Sequence, residues 1–115
     1  MLLNKTKNKI IIPKTKIAND SLLRLKGLMF EEISKFDYGL VFVFSSEGQV
    51  RNSIHMFFVG FPILAVFMDK NKKVIDIAKL EPFVPNYTPK QKASFLVELP
   101  VSCSPFVSLG DVLEW

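Results

Sequence analysis

The chain has 115 residues, of which 49% are hydrophobic and 23% charged. That balance excludes disordered, collagen-like and coiled-coil chains and suits one domain, residues 1–115, able to bury a core of its own. One cysteine and one histidine exclude an intramolecular disulfide and a zinc site built from this chain alone, and no metal or cofactor is implied. The net charge of +4 resides at the start: residues 1–19 hold Lys5, Lys7, Lys9, Lys14 and Lys16 and no acid, so the remainder is one unit negative. With only Arg24 and Arg51 for bidentate phosphate contacts, this footprint argues against nucleic acid as a partner.

In chain order, Lys5-Thr6-Lys7-Asn8-Lys9 running into Ile10-Ile11-Ile12 predicts an edge strand whose lysines discourage edge-to-edge pairing. Asp20-Ser21, then Leu22, Leu23, Leu25 and Gly27, predict a two-turn helix with an oxygen-bearing N-cap and a glycine stop. Gly39-Leu40-Val41-Phe42-Val43-Phe44 is a continuous apolar run of the kind that forms a buried strand. A second strand is expected over residues 53–59 and, after the Gly60-Phe61-Pro62 break, a third over 63–68. The cluster Asp69-Lys70-Asn71-Lys72-Lys73 predicts a hairpin turn into Val74-Ile75-Asp76-Ile77, with Asn71 at positive φ.

Pro82, Pro85 and Pro89 mark an irregular crossing in which Thr88-Pro89 caps a short helical turn through Ala93. Phe95-Leu96-Val97-Glu98-Leu99 is a strand stopped by Pro100, and a Gly110-Asp111 turn leads into Val112-Leu113-Glu114-Trp115. The expected class is mainly β (α+β): a small barrel-like or rolled antiparallel sheet of six or seven short strands with one or two short helices. The apolar stretch from Met56 to Met68 is too short to span a bilayer and contains Gly60 and Pro62. No membrane partner and no targeting segment are expected, and a cytoplasmic location follows.

Four motifs stand in order along the chain: Arg24-Leu25-Lys26-Gly27-Leu28-Met29-Phe30; Ile54-His55-Met56-Phe57-Phe58-Val59-Gly60-Phe61-Pro62-Ile63 running into Val66-Phe67-Met68-Asp69; Val97-Glu98-Leu99-Pro100; and Gly110-Asp111-Val112. In spacing and order, from about Ala18 to Trp115, they resemble the DUF192 family, also called UPF0127. The His-Met-Phe-Phe form is similar to the archaeal branch, whose members are free-standing cytoplasmic domains. The resemblance implies a small β-rich domain and supplies no established biochemical activity. Family members commonly carry Arg or Lys where this chain has Gly60, and Asp where it has Leu64. Joint loss of the two is what an ion pair or polar contact would give, because removing one partner of a buried pair costs more than removing both. Ser102, often Gly in the family, is a milder departure.

His55 is the side chain whose ordinary titration range lies nearest neutrality, so any acid-base role falls to it first; a rim or interior histidine bonded to backbone is the simpler expectation. No Gly-x-Ser-x-Gly elbow or phosphate-cradling glycine cluster occurs. Cys103, between Ser102 and Ser104, lacks the electropositive setting of a reactive thiolate and reads as inert. Asp37, Asp69, Asp76, Glu98 and Asp111 are scattered, with no spacing that marks a metal or glycosidase pair. Glu98 faces opposite to Val97 and Leu99, toward solvent or a barrel mouth.

Arg24 can hold a carboxylate or phosphate, or pair with Glu98 or Asp111. Eleven Phe against two Tyr and one Trp favour core packing over stacking platforms for sugars or single strands. Met29 and Met56 suit core filling or a pliable pocket lining. The leading expectation is a non-enzymatic binding domain for a small molecule or extended peptide, with Arg24, Met29, His55, Met56 and Glu98 as ligand-binding residues. A homodimer covering an edge strand or a Phe-rich patch around Phe57, Phe58, Phe61 and Phe83 is the alternative. An enzyme using His55 comes third.

Overall fold

Short apolar runs broken by Gly, Pro and Lys-rich turns bury themselves most readily as strands, and the computed structural model is mainly β. It describes residues 1–18, 26–48, 53–56 and 59–115, with backbone alone at 45–47. Among the described residues there are eight strands: β1 (Leu2–Asn4), β2 (Lys9–Ile12), β3 (Thr15–Ala18), β4 (Gly39–Gly48), β5 (Ile63–Met68), β6 (Val74–Leu80), β7 (Ala93–Leu99) and β8 (Leu113–Glu114). They form a three-stranded sheet in the order β2-β1-β8 and a five-stranded sheet in the order β3-β4-β7-β5-β6. Two 3-10 segments, Ile33–Lys35 and Val101–Phe106, accompany them.

β3 pairs with β4 in parallel, Thr15 opposite Gly39 and Ala18 opposite Phe42. A parallel pair requires a crossover connection, and residues 19–38 supply it. The mainly β class expected from the strand runs is what the chain adopts; in detail the described strands number eight, in two sheets with one parallel edge pair. The count follows from the N-terminus, which contributes three short strands where the lysine run suggests one.

β5 is buried at all six positions, as expected of an interior strand with both faces covered. On one face of the large sheet Leu40, Phe42, Ala65, Phe67 and Leu96 pack against Leu28, Phe36, Met56, Val59 and Phe61 from the connecting segments. On the other, Val41, Leu64, Val66, Val97 and Leu99 pack against Leu2, Ile11, Ile12 and Leu113 of the small sheet. Gly39 sits at this second contact, where a Cβ would stand 3.1 Å from Leu99 Cδ2 and 3.3 Å from Val97 Cγ2.

Several local expectations change for identifiable reasons. Residues 5–12 are not one strand: Asn4 is fully buried, its Oδ1 accepts the Lys7 amide at 3.1 Å, and the chain reverses through Asn8 at φ 54° before β2. The β5–β6 hairpin forms with Val66 opposite Ile77, but positive φ falls on Lys72, not Asn71. The turn wraps around Asp69, whose Oδ1 accepts the amides of Asn71 at 2.9 Å and Lys73 at 3.0 Å. Over residues 53–59 the described backbone makes an isolated bridge, Ile54 to Tyr87, instead of a strand ladder, and Met56 N donates to Val84 O. No helical turn follows Thr88-Pro89: the Lys90 amide donates to Asp76 Oδ2 and β7 has begun by Ala93. The helix expected over residues 20–25 lies outside the described residues. The Gly110-Asp111 turn is present, with Gly110 at φ 88°.

Candidate functional site

β7 lies between β4 and β5, so Glu98 has a neighbour on each side, Leu40 and Ala65. Alternation puts it on the same face as Leu96. The face is not open as the sequence suggested: Glu98 is 4% exposed, which corrects the expectation of solvent or a barrel mouth. The cover is the turn that follows Lys26. Met29 N donates to Lys26 O at 2.9 Å, and Gly27, at φ 49°, lies directly over the carboxyl, where a Cβ would stand 3.7 Å from Glu98 Oε1 and 3.4 Å from Phe42 Cζ.

Among the described residues Glu98 Oε1 has no hydrogen-bond partner. Burial pushes this carboxyl up from 4.5 to about 8, so at neutral pH it keeps its proton and presents an O–H donor. A buried polar atom without a partner costs about 1–3 kcal/mol, which makes Glu98 an exception that calls for a reason.

On the other side of Gly27 and Leu40 is a pocket of about 210 Å³ lined by Lys16, Ile17, Ala18, Lys26, Gly27, Glu31, Tyr38 and Leu40. β3, the residue 26–31 turn and the start of β4 meet there. Lys16 Nζ lies 4.0 Å from the centre of the Tyr38 ring, a cation–π arrangement. Lys26 Nζ pairs with Glu31 Oε1 at 3.4 Å. Tyr38 is itself buried and packs edge-on against Phe36 at 5.3 Å. Burial first, then the carboxyls of Glu31, Glu98 and Asp37, raise its phenol above the ordinary value, which keeps it protonated. The pocket therefore has basic side chains and an apolar wall of Ala18 and Leu40; Glu98 does not line it, and Gly27 borders both.

A family model, DUF192, described as "Uncharacterized ACR, COG1430", matches residues 2–115. The chain belongs to the DUF192 family. Two members are each 36% identical to it: a UPF0127 protein of Thermococcus sibiricus, matched over 100% of this chain and 74% of that one, and a UPF0127 protein of Pyrococcus furiosus, over 99% and 97%. A protein of unknown function from Novosphingobium aromaticivorans has a similar structure, with a TM-score of 0.78 at 20% identity over 88% of this chain and 74% of that one. A Sinorhizobium meliloti structure gives 0.77 at 23% identity over 87% and 79%. At these identities the two structures share the fold.

In this DUF192 chain the residues singled out from sequence do not all converge. Glu98 and the half-buried Met29 belong to the Gly27 region. Met56 has no exposed surface and packs in the core with Leu28 and Phe42. His55 is half-buried beside the Ile54 bridge and does not line the pocket. Arg24, Phe57 and Phe58 lie outside the described residues. Cys103 is buried, its Sγ 3.8 Å from Ile11 O, and burial pushes its thiol up, the opposite of an activated nucleophile. Asp111 pairs with Lys7 at 3.4 Å. Gly60 and Leu64, the departures from the family pattern, do not line the pocket; Gly60 opens to free space and Leu64 is buried against the small sheet. Lys16, Lys26, Glu31 and Tyr38 escaped the sequence reading. The one signal available was the position of Lys26 and Gly27 inside the first family motif.

Among the described residues no helix is long and apolar enough to cross a membrane.

Proposed function

We propose that this DUF192 chain is a non-enzymatic binding domain that takes a small molecule in the pocket between β3, the residue 26–31 turn and the start of β4. The supporting observation is Glu98, a buried carboxyl whose Oε1 lacks a partner among the described residues and which neighbours the pocket through Gly27 without lining it. Such a group costs stability in the free protein, and a ligand that bonds it recovers the loss. Lys16 and Lys26 at the mouth attract and orient the ligand. Arg24, two residues before Lys26 in the chain, joins this proposal on sequence alone, and Met29 as a pliable neighbour of the Gly27 turn.

The test is a thermal-shift panel of metabolites, short peptides, sugars and oligonucleotides on the wild type and on Lys16→Ala, Arg24→Ala and Glu98→Met. A ligand at one hundred times its dissociation constant adds about 2.7 kcal/mol, enough to raise Tm by several degrees in a domain of this size. A shift confined to one chemical class and reduced in Lys16→Ala and Glu98→Met supports the reading. A shift untouched by those substitutions, or none in any class, refutes it.

A second reading, assembly of two copies, is favoured by the β3 edge. β3 ends the five-stranded order and carries Ile17 at 50% exposure, an edge open to strand addition. Multi-angle light scattering that returns a monomer at high protein concentration removes it.

A further inference from the structure

The two edges of the five-stranded sheet end differently. At β6 a turn near the C-terminus covers the start of the edge: Val74 N donates to Asp111 O at 2.8 Å, and Gly110 N donates to Val74 O at 2.9 Å. At β3 no backbone from outside the sheet does the same among the described residues. Gly39 N donates to Lys14 O at 2.9 Å, which fixes the phase of the parallel ladder. With Thr15 opposite Gly39, the backbone bonds to β4 fall to Lys14, Lys16 and Ala18. The N–H and C=O groups of Thr15 and Ile17 therefore point away from the sheet, a row able to pair with another strand.

Side chains alternate across the same edge. Lys16 and Ala18 stand opposite Leu40 and Phe42, on the face that carries the pocket of about 210 Å³. Thr15 and Ile17 lie on the face of the small sheet, where Thr15 Oγ1 accepts a hydrogen bond from the amino terminus at 3.2 Å and Ile17 is 50% exposed. Lys16 is exposed, with its ammonium 4.0 Å from the centre of the Tyr38 ring, and makes no ion pair among the described residues. An added strand thus meets a basic group on one face and an apolar side chain on the other. We propose that β3 docks an extended segment of a partner protein as a further strand of the large sheet. That segment alternates acidic and apolar residues, with an acid over Lys16 and apolar side chains beside Ile17.

Charge selects this occupant over a second copy. An antiparallel pair of β3 edges would bring Lys14 and Lys16 of both copies into one ladder, where like charges repel; carboxylates in those places attract. Lys14 is already answered by Asp37 at 3.2 Å, which leaves Lys16 to receive the acid. The pocket lined by Lys16, Ala18 and Leu40 gives that side chain room. The proposal stands whether or not the pocket also takes a small molecule.

The test uses three end-blocked synthetic peptides: acetyl-Val-Glu-Val-Glu-Val-amide, the same peptide methylated at its backbone nitrogens, and acetyl-Val-Lys-Val-Lys-Val-amide. Amide hydrogen exchange and 15N–1H correlation spectra are followed on the wild type, Ile17→Pro and Lys16→Glu, the spectrum of each variant reporting its fold. Ile17→Pro removes an outward N–H and leaves the bonds to β4 in place. In the free wild type the amides of Thr15 and Ile17 should exchange fast and those of Lys16 and Ala18 slowly. Saturating acidic peptide should slow Thr15 and Ile17 by about tenfold, and the methylated peptide should not. Ile17→Pro should abolish binding, and Lys16→Glu should weaken the acidic peptide by about fivefold and favour the lysine peptide. Binding that leaves Thr15 and Ile17 unprotected, equal binding of the acidic and lysine peptides, or no binding overturns the proposal. So does slow exchange at both residues in the free protein together with a dimer by light scattering, because the occupant is then a second copy.

Discussion

Replacing Glu98 with Gln removes one ionisable group from a site where ionisation is resisted. Burial lifts the carboxyl from 4.5 to about 8, so folding favours its protonated form. Below pH 4.5 both folded and unfolded chains hold the proton and the group costs nothing. As pH rises, the unfolded chain ionises while the folded one does not, and each unit removes about 1.4 kcal/mol of stability. By pH 7 the loss is about 3 kcal/mol, and above pH 8, where both states are ionised, it levels at about 5 kcal/mol. Gln keeps shape and polarity without that cost. Urea unfolding of wild type and Glu98→Gln from pH 4 to 9 should therefore show no more than about 1 kcal/mol of difference at pH 4 and about 3 kcal/mol in favour of Gln at pH 7. A difference that does not change between pH 4.5 and 8 would mean that the carboxyl is already ionised and accommodated, and the case for an unpartnered acid would fail.

Three further outcomes are expected. Asp111 is buried, which pushes its carboxyl up, but Asn4 Nδ2 at 2.7 Å, the Ser108 amide at 2.9 Å and the Lys7 ammonium outweigh that and hold it below 3.8. Its contribution is thus present above about pH 4 and lost as pH falls through the lowered folded value; Asp111→Asn should cost about 1–3 kcal/mol at pH 7 by urea unfolding and progressively less as pH falls through that value. Tyr87 donates to Asp76 Oδ2 at 2.6 Å; Tyr87→Phe should lose about 1–2 kcal/mol. In the wild type, burial and that bond push the phenol up to about 12, so ultraviolet difference spectra should show no phenolate from Tyr87 at pH 10. Gly39→Ala should destabilise by about 1–3 kcal/mol through overpacking, because its Cβ would press on Leu99 and Val97 at 3.1 and 3.3 Å; calorimetry checks it.

Local pattern predicted those parts of the fold whose partners are close in sequence. β5 and β6 were legible because their apolar runs flank a turn of Asp, Asn and Lys, and a hairpin register follows from the turn itself. The small sheet was not, since Leu2–Asn4 is three residues long and its partners come from both ends of the chain. Residues 53–56 look like a strand by composition, yet their backbone partners are Val84 and Tyr87 in the proline-rich crossing, and no local rule finds that pairing. Glu98 shows the same divide at the site. Alternation correctly separated it from Val97 and Leu99, but what covers a face is set by a segment seventy residues away, where Gly27 comes to lie over the carboxyl. Lys16 and Tyr38 join it only because β3 runs parallel to β4, which neither strand advertises.

The order β2-β1-β8 places the second residue of the chain in the same sheet as the hundred and thirteenth. Asn4 and Asp111, hydrogen-bonded across 107 positions, fasten that meeting. Contacts of such separation are entropically slow to find and penalise the folding rate more than the stability. Until β8 docks on β1, the apolar underside of Val41, Leu64, Val66 and Val97 lacks the part of its lid that Leu113 provides. Exposure to aggregation during folding is thus concentrated in the interval before β8 has paired with β1.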